Sequence, residues 1–506
     1  LLSKLVRPTP PFIPFPDHHD ASVSKMEITL SQILDQLPAA APANLLLLGG
    51  LTLLSIAALP RSMRTSPLAR DLLGWTAIGF CIAACWAARA IEPTGSVVGS
   101  LFQSDAIRSS GSWLAALVGI PLILLAWHRM DNGRTAEHLA MVLLMLSGLA
   151  YTASAGDLVS LFLGLELVSL PTTILLAMTR RDGAGREATL KYFTLAAFSS
   201  AVFLFGLSYL YGIAGETSLA AVGRVLGGPL SLMAWMGWGF VLAGLAFRMT
   251  AVPFHFYAPD VFCGTKLPMA AGLAVVPKIA GFLALMRLLD GGTRGAEGLS
   301  FSTTSIGTLS LLAVLTMTVG NVLAMVQKDF RRWISYSSVA HTGYLLLGVA
   351  AIASLSASWA PILFYLGVYA AMTIGLLAVW ALDQGDLQQP APMDRWNGLA
   401  YRSPRLALAG SVALLSMTGV PLTAGFWGKF QIFSSTIASS DWIVRAAAIV
   451  MAINAVIAAS YYLGVIWRFF EPAQEADRSR VVTGGWAEGG AVVLCTVLTI
   501  FWFLFP

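Results

Sequence analysis

Six ionisable side chains, Glu166, Lys191, Arg248, Lys278, His341 and Lys429, fall within long apolar runs of the sequence. A charge at mid-bilayer costs at least about 2.5–3.5 kcal/mol on insertion scales, so such residues face a bundle interior, pair with one another, or line an ion path. Lysine suits reversible proton transfer. Burial favours its neutral form, a nearby carboxylate favours its charged form, and moving that neighbour switches the group between holding and releasing a proton. Histidine adds a side chain that ordinarily titrates close to neutrality. Guanidinium does not deprotonate in proteins, so Arg248 fits a fixed charge better than a carrier. Glu166, Lys278, His341 and Lys429 therefore read as a proton relay across the middle of a membrane.

Each of these residues also has a structural reading. Lys191 follows Arg186 and Glu187 at the start of its run and could snorkel to the membrane interface. Glu166 is too deep in its run for that, and it shares a helical stripe with Ser169 and Thr173; such a stripe can serve interhelical hydrogen bonding alone. Lys278 follows Pro277 at mid-run, and Lys429 lies eight residues beyond Pro421. Either could serve packing only. His341 continues the stripe Ser335, Ser338, His341, Thr342, whereas His255 sits beside Pro253. A lone buried histidine is ordinarily hydrogen-bonded core, and here it is the nearby lysines that favour a relay role for His341.

The elements that must position these groups are transmembrane helices. Of 506 residues, 57% are hydrophobic and 11% charged, where a soluble domain carries about 25% charged residues. A span takes roughly 20 apolar residues. Fourteen runs qualify, near 43–60, 71–91, 111–128, 138–155, 158–179, 189–212, 230–257, 268–290, 304–327, 333–353, 359–382, 404–434, 442–468 and 486–505. Four scattered cysteines, Cys81, Cys85, Cys263 and Cys495, cannot make an iron–sulfur or structural zinc site. With no Walker A loop and no dinucleotide-type glycine fingerprint, redox or nucleotide chemistry is expected in partners. Residues 1–25 form a Pro-rich tail, expected to be disordered or not native, and Met26 is a plausible true start.

The over-long seventh and twelfth runs share a proline-broken pentad, MTAVP at Met249–Pro253 and MTGVP at Met417–Pro421. Proline removes a helical hydrogen bond, and a broken helix survives in a membrane only where it is buried or lines a hydrated cavity. Paired breaks in two halves are a sign of a transporter built from repeats, with its ion sites near the breaks. Arg248 precedes the first copy and Lys429 follows the second. Five helix steps separate the copies, which inverts one relative to the other. Lys and Arg concentrate on loops after odd-numbered runs, among them Arg61, Arg64, Arg70, Arg180, Arg181, Lys328, Arg331, Arg332, Arg468, Arg478 and Arg480. The positive-inside rule makes that face cytoplasmic and puts both termini outside.

Five segments carry a family resemblance: LFLGLELVSLP (161–171), LKYFTLAAFSS (190–200), VPFHFYAPDVFCGTKLPMAAGLAVVPKIAGF (252–282), QKDFRRWISYSSVAHTGYLLLG (327–348) and GVPLTAGFWGKF (419–430). Together they resemble the antiporter-like membrane subunits of respiratory complex I, NADH:quinone oxidoreductase, and among them the subunit N type. The resemblance implies an all-α polytopic membrane protein of fourteen transmembrane helices with two inverted five-helix repeats. These would occupy 138–290 (helices four to eight) and 304–468 (helices nine to thirteen), with helices seven and twelve discontinuous. Helices one to three (26–137) would precede them and helix fourteen (469–506) follow.

The resemblance further implies that Glu166, Lys191, Lys278, His341 and Lys429 match the family's functional positions on helices five, six, eight, ten and twelve. Arg248 stands where the family has a lysine that pairs with the glutamate. This departure keeps an ion pair but leaves two readings, a fixed electrostatic gate or a first half-channel that relies on Lys191 and Lys278. A helix-twelve lysine, in place of glutamate, points away from subunit M, and the end at Pro506 points away from the long lateral helix of subunit L. The implied chain carries no cofactor; FMN, iron–sulfur clusters and quinone belong to partner subunits. Subunits M and K are the implied neighbours in a bacterial-type inner membrane. The alternative is a subunit of an Mrp-type cation/proton antiporter or a membrane-bound hydrogenase, which have similar subunits.

Overall fold

Every apolar run folds as helix, and run twelve folds as a pair of helices. The computed structural model describes residues 37–60, 66–90, 101–129, 133–180, 182–227, 231–293, 303–384, 391–472 and 485–505. The Pro-rich tail, Met26, and the loop residues Arg61, Arg64, Arg181, Arg478 and Arg480 lie outside the described residues.

The first six runs are α1 (Ala41–Ala57), α2 (Pro67–Ala90), α3 (Ala106–Ala126), α4 (Thr135–Ser154), α5 (Leu158–Thr179) and α6 (Gly183–Ala214). A short helix absent from the sequence reading, α7 (Leu219–Gly227), follows. Run seven (230–257) forms α8 (Leu232–Met249) and then leaves the helix through Pro253, and the short α9 (Ala258–Cys263) begins just past its end. Then come α10 (Leu267–Thr293), α11 (Thr303–Met325), α12 (Phe330–Leu355) and α13 (Ala360–Gln384). After the single turn α14 (Leu399–Arg402), run twelve divides into α15 (Pro404–Thr418) and α16 (Ala424–Ala438), and the chain closes with α17 (Trp442–Phe470) and α18 (Trp486–Leu504). Among the described residues, 13 helices are long and apolar enough to cross a membrane. The two halves of run twelve, 15 residues each, are individually too short.

Loop carboxylates fix where many helices start. The side chains of Asp105, Asp157, Asp182, Asp329 and Asp441 accept backbone N–H groups at the beginnings of α3, α5, α6, α12 and α17. Each such cap is worth about 0.5–2 kcal/mol. The guanidinium of Arg180, hydrogen-bonded to Asp182, holds that carboxyl below the usual aspartate range.

Burial grades from the centre outward. The apolar stretch of α10 is wholly enclosed, and α4, α12 and α13 are nearly so, whereas only a third of the equivalent stretches of α6, α17 and α18 is covered. The outer helices present Phe193, Phe198, Ile449, Val456 and Trp467 outward, as a lipid-facing surface requires. Lys278, His341, Tyr365 and Tyr369 all lie on the enclosed helices α10, α12 and α13.

Candidate functional site: a buried line of basic and phenolic groups

Both pentads stop a helix by the same device, one residue out of register. In the first, α8 ends at Met249 and Thr250 takes the left-handed conformation (φ 59°), with its N–H and that of Ala251 turned back to Phe247 and Ala246. In the second, α15 ends at Thr418 and Gly419 takes that conformation (φ 84°), with its N–H and that of Val420 turned back to Ser416 and Leu415. These are Schellman-type ends, which satisfy part of the last turn and leave other carbonyls needing partners.

Side chains of neighbouring helices supply those partners. The Met249 carbonyl accepts from the Thr342 hydroxyl of α12 (2.6 Å). The carbonyls of Met417 and Thr418 accept from Lys429 Nζ of α16 at 2.7 and 2.9 Å. A cation at the C-terminal end of a helix also meets the negative end of its dipole. Space for this contact depends on glycine: a Cβ on Gly419 would lie 2.9 Å from Lys429 Cδ, and one on Gly425 would lie 1.8 Å from the Ser416 carbonyl oxygen.

Arg248, in the last turn of α8 and 4% exposed, spreads its donors over α5 and α6. Nη2 contacts Glu166 Oε1 at 2.6 Å and Ser200 Oγ at 2.9 Å; Nη1 donates to the Leu165 carbonyl (2.9 Å) and to Ser169 Oγ. Ser200 Oγ also donates to Glu166 Oε1 (2.5 Å). Glu166 thus meets an arginine and a serine, and the Glu166–Ser169 stripe is the seat of the guanidinium. Thr173 donates to the Ser169 carbonyl within its own helix.

Lys278, 1% exposed, reaches from α10 to α12 and α13. Its Nζ donates to the Ser338 carbonyl, to Ser338 Oγ (2.5 Å) and to Tyr369 Oη (3.3 Å), and lies 4.5 Å from the Tyr369 ring centre. Tyr369 in turn donates to Ser338 Oγ (2.7 Å). His341 is held at both ring nitrogens: Nδ1 pairs with Tyr365 Oη (2.7 Å) and Nε2 with Tyr462 Oη (3.1 Å). Tyr462 Oη also pairs with Ser337 Oγ. The His341 ring centre stands 5.3 Å from that of Tyr369 and 5.9 Å from that of Tyr344, and Tyr344 faces Lys429 Nζ at 5.0 Å. Three basic groups therefore alternate with aromatic rings in the order Lys278, Tyr369, His341, Tyr344, Lys429. Among the described residues, no carboxylate lies within ion-pair distance of Lys278 or Lys429.

Lys191 stands apart from this line. It is 40% exposed and pairs with Glu187 and with Asp260 of α9, each at 2.7 Å; Asp260 also meets Arg332 at 3.3 Å. His255 lies in the first break with its ring 6.4 Å from that of Tyr336, away from the lysines' hydrogen-bond partners. The neutral partners Ser200, Tyr344, Tyr365, Tyr369 and Tyr462 carry no signal in a search for charged residues in apolar runs. The ion pair of Arg287 with Asp105 (2.5 Å) was also missed. It lies near helix ends, where a charge count sees only loop residues. Among the described residues, no three His, Cys, Asp or Glu side chains gather to hold a metal ion.

Comparison with known proteins bears on what assembly this line serves. Residues 155–456 match the family model described as NADH:quinone oxidoreductase/Mrp antiporter, transmembrane. NADH-quinone oxidoreductase subunit N of Desulfovibrio desulfuricans is 36% identical over 433 residues, covering 81% of this chain and 83% of the relative. The chain belongs to the NADH-quinone oxidoreductase subunit N family. As a subunit N it is a non-redox membrane component of a translocase complex. Its fold is similar to a chain of respiratory complex I from Thermus thermophilus, with TM-score 0.75, 28% identity and coverage of 92% of this chain and 97% of that one. A chain of the Mrp complex from Dietzia has TM-score 0.78 at 19% identity, covering 92% and 94%. That second likeness shows the fold alone.

Proposed function

We propose that this subunit N moves protons through the membrane arm of NADH:quinone oxidoreductase, driven by quinone reduction in partner subunits that hold FMN and iron–sulfur clusters. The observation that carries this reading is the unbroken alternation from Lys278 through Tyr369, His341 and Tyr344 to Lys429. Protons would enter from the basic, cytoplasmic face, rest on Lys278, pass by His341 to Lys429, and leave on the other side. Moving one charge against 100 mV costs about 2.3 kcal/mol, so the relay must be coupled to a downhill reaction.

Arg248 and Glu166 act in this reading as a fixed gate, because the guanidinium is tied at four oxygens and keeps its proton. Lys191, in an exposed ion cluster with Glu187 and Asp260, would collect protons at the entrance. The proposed architecture has fourteen spans, α15 and α16 together making the twelfth, in two inverted repeats over 138–290 and 304–468. Its support is the recurrence of pairings: α4 packs on α5 and α6 on α8, as α11 packs on α12 and α13 on α15. Subunits M and K are the proposed neighbours in a bacterial-type inner membrane, with both termini on the outer side.

The test is to tag the chain, solubilise it gently, and stain a native gel for NADH-dependent quinone reduction. Activity in one large band containing this chain with flavin and iron–sulfur subunits supports the reading. A smaller band of membrane subunits without that activity would replace it with a cation/proton antiporter.

A further inference from the structure

A pump that passes protons to Lys429 must keep that site from trading protons directly with the entry face. The structure has a cavity there that comes close to doing so. About 290 Å³ in volume, it is lined by Gln327, Trp333, Tyr461, Arg468 and Glu471, at the face where Lys328, Arg331 and Arg332 lie. From its wall, Tyr461 Oη donates inward to Asn321 Oδ1 (2.9 Å). Asn321 Nδ2 donates onward to Tyr344 Oη (3.0 Å), whose ring faces Lys429, and to Asn454 Oδ1 (2.9 Å). Asn454 Nδ2 is spent on Thr318 Oγ1 (3.1 Å) and the Val450 carbonyl (3.0 Å). Both asparagines are buried, 0% and 1% exposed.

This chain of hydrogen bonds runs from the cavity to Tyr344, whose ring faces Lys429, yet its middle link is chemically unsuited to relay. A hydroxyl takes a proton and gives one up at the same oxygen. An amide takes a proton on oxygen and must release one from nitrogen, a different atom, which leaves it as the imidic acid; a further proton shift from oxygen to nitrogen is needed before a second proton can pass. With both N–H bonds of Asn321 and of Asn454 already committed, the pair has a fixed donor direction and no free donor to rotate. Pore selectivity against protons is set by such fixed donors and acceptors.

We propose that Asn321, held by Asn454, is a proton barrier: it lets the cavity hydrate up to Tyr461 while insulating Lys429 from it, so that Lys429 is loaded through His341. This inference rests on the proton-transfer reading above. It is tested in inverted membrane vesicles carrying the whole complex. With NADH withheld, a pH difference is imposed and its decay followed with a pH-sensitive dye; with NADH present, protons moved per electron are measured.

Asn321→Leu is expected to assemble with wild-type decay and a wild-type proton-to-electron ratio, because an apolar group also blocks. Asn321→Asp places a carboxyl that can both accept and release protons, and should speed the decay several-fold while lowering the ratio. Asn321→Ser, a smaller hydroxyl relay, is read in the same way should the aspartate variant not assemble. Loss of pumping in assembled Asn321→Leu would make the amide a relay and overturn the proposal, as would unchanged decay in an assembled Asp or Ser variant. Failure of the underlying reading shows separately, as undiminished pumping in Lys429→Met, because the decay assay needs no pumping.

Discussion

The ammonium of Lys429 lies 2.7 Å from the carbonyl oxygen of Met417, the residue that opens the second pentad. The corresponding carbonyl of the first pentad, that of Met249, is met by the neutral Thr342 hydroxyl. The two breaks thus share a backbone design and differ in the charge that closes them. Only the second places an ionisable nitrogen on the broken helix end, while the first keeps its cation, Arg248, in the last turn of the helix and turned to Glu166. In the proposed account this asymmetry separates a gate from an exit.

Lys429→Arg keeps the positive charge at the end of α15 but supplies a group that does not deprotonate. The complex should assemble normally while proton pumping falls by about 10² or more, the low end of what a positioned proton-transfer group contributes. Native-gel assembly and vesicle pumping, measured on the same preparation, check it. Retained pumping would make Lys429 a structural cation.

Arg248→Ala removes the guanidinium from Glu166, Ser169, Ser200 and the Leu165 carbonyl, and leaves Glu166 with the Ser200 hydroxyl as its remaining side-chain donor. Removing a partner from buried polar groups costs about 1–3 kcal/mol, so assembly and thermal midpoint should both drop. Arg248→Lys should lose less stability and keep pumping, because one ammonium can hold Glu166 but not all four oxygens. Thermal unfolding of the assembled complex, followed by loss of native-gel mobility, reads both variants.

His341→Leu removes both ring nitrogens between Tyr365 and Tyr462 and should stop proton delivery with assembly intact. Tyr462→Phe removes a single link and should slow it by less. Equal effects on transport from the two substitutions, measured as initial pumping rates, would argue that the hydroxyl network carries the proton around the imidazole.

Gly419→Ala forces a side chain into left-handed backbone, at a cost of roughly 1–2 kcal/mol, and pushes against Lys429 Cδ. Reduced thermal stability together with reduced pumping is expected. At Thr250, the matching position in helix geometry, Thr250→Gly should leave pumping unchanged and relieve the left-handed backbone there.

Much of this arrangement is legible in the chain because lipid penalises charge so heavily. Run five, 158–179, matches α5 (Leu158–Thr179) at both ends, and the stripe Ser338, His341, Thr342 forms contacts with Lys278, two tyrosines and Met249. The pentads announced the breaks at α8 and α15. What stayed hidden was neutral or distant. Tyr344, Tyr365, Tyr369 and Tyr462 count as apolar in a hydropathy reading, although their hydroxyls and rings space the lysines and the histidine. Arg287 and Asp105 sit 182 residues apart and meet only because α10 passes the start of α3. Lys191 has two readings in the sequence; its ammonium is 40% exposed and pairs with Glu187 and Asp260, and its helix starts at Gly183, earlier than the apolar run suggests.

In the proposed reading, Lys278 holds protons that quinone reduction drives across the membrane. The most direct measurement is the proton-to-electron ratio of vesicles carrying the assembled complex with Lys278→Met. A reduced ratio and slower coupled quinone reduction are expected, with assembly intact on a native gel. A wild-type ratio at a wild-type rate of quinone reduction would contradict that reading.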